Sequence, residues 1–80
     1  MNNPLEKIRK KNGWSIEEFA SVADMSFTAV YNALNGSTQN INSKILEAVE
    51  QLGYDPEKVR KEYQEFREAK KQKLMQEAAK

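Results

Sequence analysis

The chain contains no cysteine and no histidine, and only 3 glycines and 2 prolines among its 80 residues. Without Cys or His it cannot build a zinc finger, a thiol nucleophile or a disulfide staple, and it lacks the commonest general base. The ionisable groups left are carboxylates, lysines, arginines and tyrosines. None of them clusters at metal-ligand spacing or beside a glycine-rich phosphate loop. No catalytic residue, metal site or cofactor is expected, and an enzyme is not expected either. Long apolar runs are missing too: no stretch reaches the length of a signal-peptide core or a membrane span. No membrane partner follows, and the expected compartment is the cytoplasm. A surplus of positive charge is also absent. Thirteen Lys and Arg stand against 12 Asp and Glu, a formal net charge of +1, whereas nucleic-acid binders usually carry more.

What is present suits one small helical domain. The charged fraction is 31% and the hydrophobic fraction 39%, too apolar for a disordered tail and too short for two cores. A helix-start grammar recurs five times. Ser15 with Glu18 forms an S-x-x-E capping box, and Trp14 can staple onto Phe19. Asn3 is a cap followed by Pro4 at the first helical position, with Glu6 spaced to complete a box. Asp55 precedes Pro56, with Tyr54 and Val59 as a staple. Ser26 and Asn42 are the remaining caps, flanked by the pairs Met25–Val30 and Ile41–Leu46.

These signals predict helices over 4–11, 16–23, 27–34 and 43–52, and a fifth from Pro56 with no stop signal before the end. Ile16, Phe19, Ala20 and Ala23 form the buried stripe of the second helix. Ile45, Leu46, Val49 and Leu52 form that of the fourth. No strand pattern appears. Only Asp24, Met25 and Ser26 separate the second and third helices, which forces a sharp helix-turn-helix corner.

The third helix is short and oddly polar. Val30, Ala33 and Leu34 are its inward residues, leaving Phe27, Thr28, Tyr31, Asn32 and Asn35 on one outward face. A plain solvated face would carry Lys and Glu, as the rest of this chain does. Amide, hydroxyl and aromatic groups without a charge are instead the types that read base edges: Asn pairs with adenine, and apolar groups touch thymine methyls.

The segment from Leu5 to Val59 resembles the phage repressor and Cro family, the lambda repressor-like helix-turn-helix DNA-binding domains. The resemblance is carried by I-R-K-K-N-G-W-S-I-E-E-F-A, by S-F-T-A-V-Y-N-A-L-N-G as the recognition helix, and by I-L-E-A-V-E-Q-L-G-Y. It implies an all-α, five-helix domain whose third helix enters the major groove of double-stranded DNA, as a transcriptional repressor or similar regulator at the nucleoid. By position, Phe27, Thr28, Tyr31 and Asn32 would meet bases. Arg9, Lys10, Ser15, Asn35, Thr38 and Gln39 would meet the DNA backbone. Two departures stand out. The family usually has Gln, a phosphate clamp, where this chain has Ile16. Many relatives have Glu, paired with the first-helix arginine, where this chain has Leu34, and that substitution is expected to free Arg9.

Charge is unevenly spread. Residues 1–54 hold five cations against six carboxylates, whereas residues 67–80 hold five against two. A single copy should therefore bind DNA weakly, and a homodimer or paired binding at adjacent half-sites is the family's usual remedy. Val59, Tyr63 and Phe66 give the fifth helix an apolar stripe that completes the core or serves pairing. Residues 1–66 are thus expected to form the domain, and residues 67–80 a solvated helical tail or linker stub. A protein-interaction module on the same scaffold, using Phe27, Tyr31 and the fifth helix, is the alternative reading.

Overall fold

The computed structural model describes residues 3–78. Among them are five helices and no strand: α1 (Pro4–Lys11), α2 (Ile16–Ala23), α3 (Phe27–Leu34), α4 (Ser43–Gln51) and α5 (Pro56–Ala78). The caps set these boundaries. Asn3, Ser15, Ser26 and Asn42 each accept a backbone N–H of the first turn through a side-chain oxygen, and Asp55 Oδ1 accepts that of Glu57 at 3.0 Å. At Ser15 the capping box closes in both directions, with Glu18 Oε1 accepting the Ser15 N–H at 2.9 Å. The Trp14 ring packs on Phe19 with centroids 5.9 Å apart.

The core draws on every helix: Leu5 and Ile8 from α1, Phe19, Ala20 and Ala23 from α2, Val30, Ala33 and Leu34 from α3, Ile45, Ala48 and Val49 from α4, and Val59 and Tyr63 from α5. Ile16 and Leu46 lie at its margin, half-buried. Leu52 departs from its expected inward position. Helix α4 ends one residue early, Leu52 becomes its C-cap, and the turn into Gly53 leaves the side chain 39% exposed. Glu6 departs as well. Its carboxylate takes a bidentate pair from Arg9 instead of closing a capping box on Asn3.

Helix α5 runs unbroken for 23 residues and extends the molecule to 42 × 23 × 21 Å. Its apolar stripe is used for packing: Val59 and Tyr63 are buried, and Phe66 is half-buried. The expected domain edge at residue 66 falls inside this helix with no interruption. Arg67 and Lys70, expected in a solvated tail, instead donate to the carbonyls of Gly36 (3.0 Å), Gln39 (3.2 Å) and Asn35 (2.9 Å). Phe66 lies so close to Gly36 that a Cβ there would sit 2.8 Å from its ring. Gly36 also adopts φ +81°, so a side chain is excluded twice over.

The α2–α3 corner turns on Asp24, the one non-glycine residue with positive φ (55°) among the described residues. A left-handed conformation costs an L-residue about 1–2 kcal/mol, less for Asp than for most, and glycine almost nothing. Lys44 lies 3.3 Å from the Asp24 carbonyl and 4.0 Å from its carboxylate, an exposed contact of small value. Asp24→Gly should therefore raise the melting temperature by about 2–6 °C, and Asp24→Ala should lower it. A glycine variant that melts no higher than the parent would show that the carboxylate contributes more than the strain it sits on.

Asn3 performs two tasks. Its Oδ1 caps α1 at Leu5 N–H (2.9 Å), while its Nδ2 donates to the carbonyls of Ala33 (3.0 Å) and Leu34 (2.8 Å) at the end of α3. Removing it strips a cap and leaves the Leu34 carbonyl without a donor. Asn3→Ala should cost about 2–4 kcal/mol in chemical denaturation. Asn3→Asp, an equally good cap, should also destabilise, because it sets a carboxylate oxygen against two carbonyls. If the Asn3→Asp variant proves as stable as the parent, the tether to α3 contributes nothing.

Candidate nucleic-acid interface

Helix α3 is held as a platform with one free face. Its inner side is sealed by Val30, Ala33 and Leu34, and its first turn is capped by Ser26 Oγ, which accepts from the Ala29 N–H at 3.2 Å. Phe27, Thr28 and Tyr31 are exposed on the opposite side, and Asn32 is half-buried beside them. The Phe27 and Tyr31 rings, one turn apart, lie nearly parallel at 15° with centroids 6.1 Å apart. The four expected base-reading residues thus share one face, and no cation or carboxylate belongs to the helix.

The segment after α3 is fastened with unusual completeness. From Tyr31 to Gln39, every backbone carbonyl except that of the exposed Ser37 has a protein donor. Backbone N–H groups take Tyr31, Asn32 and Ala33, and Asn3 takes Ala33 and Leu34. Side chains of α5 take the rest: Lys70 at Asn35, Arg67 at Gly36 and Gln39, Tyr63 at Thr38 (2.7 Å), and Gln64 at Gln39 (3.0 Å). Burial pushes the Tyr63 phenol above its ordinary pKa, partly offset by the Arg67 charge. It therefore stays protonated and able to donate. The loop backbone is thereby tied to α5 along most of its length.

This fastening leaves side chains available. Asn35 Oδ1 accepts the Ser37 N–H at 2.9 Å, which aims its amide donor outward. Thr38 is half-buried and Gln39 exposed, and both are held by backbone groups: their carbonyls accept from α5, and the Thr38 N–H donates to the Asn32 carbonyl at 3.4 Å. Ser15 Oγ accepts the Glu18 N–H at 3.1 Å, and hydrogen bonds from the Ser15 backbone and side chain hold the Glu18 carboxyl below the usual carboxylate range.

Arg9 is not freed by Leu34. Glu6 takes over as its partner, with Nε and one terminal nitrogen each 2.9 Å from a carboxylate oxygen, and the other nitrogen donates to the Trp14 carbonyl at 2.8 Å. The hydrogen bond from Arg9 holds the Glu6 carboxyl below the usual carboxylate range, and the pair raises the Arg9 pKa. Two of the five guanidinium N–H groups remain unused. Lys10 is exposed and borders a cleft formed with Asn3, Leu34 and Phe66. Arg9 therefore braces the α1–α2 turn, while Lys10 stands beside the end of α3.

Sequence reasoning missed the fasteners. Tyr63, Arg67 and Lys70 lie at i, i+4, i+7, so the apolar stripe of α5 continues as a polar one on the same face. That continuation was the available signal.

A model of the helix-turn-helix family matches residues 5–56, from α1 to the first residue of α5. No curated protein and no solved structure gives a significant match to the chain. Among the described residues no helix is long and apolar enough to cross a membrane. The match spans well over half of the chain and coincides with the α2–α3 corner, the capped α3 and the packed α4 described above. The chain therefore belongs to the lambda repressor-like helix-turn-helix family of DNA-binding regulators, a family of regulatory domains rather than enzymes.

Proposed function

We propose that the protein binds double-stranded DNA sequence-specifically, as a transcriptional repressor or similar regulator at the nucleoid, with α3 in the major groove. The observation that carries this reading is the outer face of α3. It is uncharged, aromatic and amide-bearing, and it sits on a helix whose other side is packed and whose C-terminal end is hydrogen-bonded to distant elements. Phe27, Thr28, Tyr31 and Asn32 approach base edges. Lys10, the remaining donors of Arg9, the Ser15 hydroxyl, the Asn35 amide, and Thr38 and Gln39 approach phosphates.

Residues 1–66 supply all of these contacts, and the rest of α5 braces the loop from behind. Glu17 and Glu18 in the first turn of α2 place negative charge beside the expected backbone path. A single copy therefore binds weakly, and two copies on adjacent half-sites give useful affinity. The near-neutral charge and the exposed ring pair favour one other reading, a helix-turn-helix scaffold that grips a protein partner.

Salt dependence separates the two. Two to four neutralised phosphates per copy give a slope of log affinity against log salt of about −2 to −4 on random-sequence duplex. A flat titration, with no duplex bound at low salt, would turn the assignment to the protein-partner reading. The residue roles are separable in the same assay. Asn32→Ala should cost about 1–3 kcal/mol at the preferred site and relax one base position, whereas Lys10→Ala should weaken every duplex alike and flatten the slope by about one unit. Identical effects of the two substitutions on a base-substitution panel would refute that division.

A further inference from the structure

Phe27 and Tyr31 are 49% and 48% exposed, and they are the only large apolar side chains that α3 leaves in water. Their near-parallel rings form one continuous apolar surface, two side chains wide, across the first turn of the helix. Thr28 and Asn32 are the polar neighbours on that face, and α3 carries no lysine or arginine. The helix therefore lacks the Arg or Lys that makes the commonest bidentate guanine contact.

The most prominent apolar group on the floor of the major groove is the C5 methyl of thymine. Rings laid over the polar edge of a G·C pair would strip water from N7, O6 and N4 without replacing the hydrogen bonds lost. Rings laid over thymine methyls exchange apolar surface for apolar surface. We propose that the Phe27–Tyr31 pair is a thymine-methyl reader and that the protein's target is an A·T-rich duplex recognised through those methyls. The inference rests on the DNA-binding reading above and adds the class of sequence read.

Asn32, next on the face, supplies the amide that pairs with adenine N6 and N7.

The test uses the full chain and three duplexes of equal length: alternating dA·dT, the same duplex with every thymine replaced by deoxyuridine, and alternating dG·dC. Deoxyuridine removes the methyl and leaves every hydrogen-bonding group in place. The substitution should weaken binding about fivefold to fifteenfold, the size expected for two buried methyl groups, and dG·dC should bind more weakly than dA·dT. Phe27→Ala and Tyr31→Ala, with their fold checked by circular dichroism, should each shrink the thymine-to-uracil ratio towards one.

Equal affinity for the thymine and uracil duplexes, or tighter binding to dG·dC, overturns the proposal. A ratio that survives both alanine substitutions overturns it too, because the methyl would then be sensed elsewhere or through duplex stiffness. Salt-dependent binding to all three duplexes keeps the DNA reading intact in each of these cases. Absence of salt-dependent binding to any duplex refutes the DNA reading, and this inference with it.

Discussion

Eight residues are too few to make a helix stable in water, because nucleation costs more than so short a ladder returns. Helix α3 has that length, and its last carbonyls would face solvent or strain without partners. The fold depends on how those carbonyls are satisfied. Asn3 reaches them from the chain's N-terminal segment, and Tyr63, Gln64, Arg67 and Lys70 reach the following loop from α5. Elements far apart in sequence thus converge on one helix end. Cationic donors are well chosen there, since the C-terminal end of a helix carries partial negative charge. The result is a short helix held at its back by packing and at its tail by hydrogen bonds, with its outer face left open.

That construction bears on the charge balance. A basic surface gives affinity for any duplex and little discrimination. Here several cations are already committed inside the domain: Arg9 to Glu6 and Trp14, Arg67 and Lys70 to loop carbonyls. The side-chain positions that would meet DNA are mostly neutral amides and hydroxyls. Such an interface adds little to non-specific attraction and places more of the binding energy in contacts that depend on the partner's surface chemistry. A loop already tied to α5 would lose less freedom on association, which would partly offset a shortage of phosphate contacts.

Most of the helical framework is legible in the sequence because caps are local. Ser15 with Glu18, Asn3 with Pro4, and Asp55 with Pro56 each declare a helix start within a few residues, and all form where those residues stand. The buried stripes of α2 and α3 are equally plain, since periodicity is also local. Long-range polar bonds are harder to see. Nothing near Leu34 in sequence says that Asn3 will donate to it, nor that Glu6 will take the Arg9 pairing that relatives give to another residue. Leu52 escapes the pattern for a related reason: a one-residue difference in where α4 ends rotates that side chain out of the core, and helix ends are the least certain feature of any pattern.

The fasteners act on backbone carbonyls rather than on side chains, and this determines what can vary. A carbonyl is present whatever residue occupies a position, so the grip of Lys70, Arg67 and Tyr63 does not constrain the identities of residues 35, 38 and 39. Gly36 is the exception, held to glycine by its positive φ and by the Phe66 ring against it. On α3 the inward positions are fixed by packing, whereas Phe27, Thr28, Tyr31 and Asn32 contribute little to the core. The positions that would determine recognition are therefore largely separate from those that maintain the fold. A substitution on that face would alter the proposed contacts at small cost in stability, and a substitution among the fasteners would do the reverse.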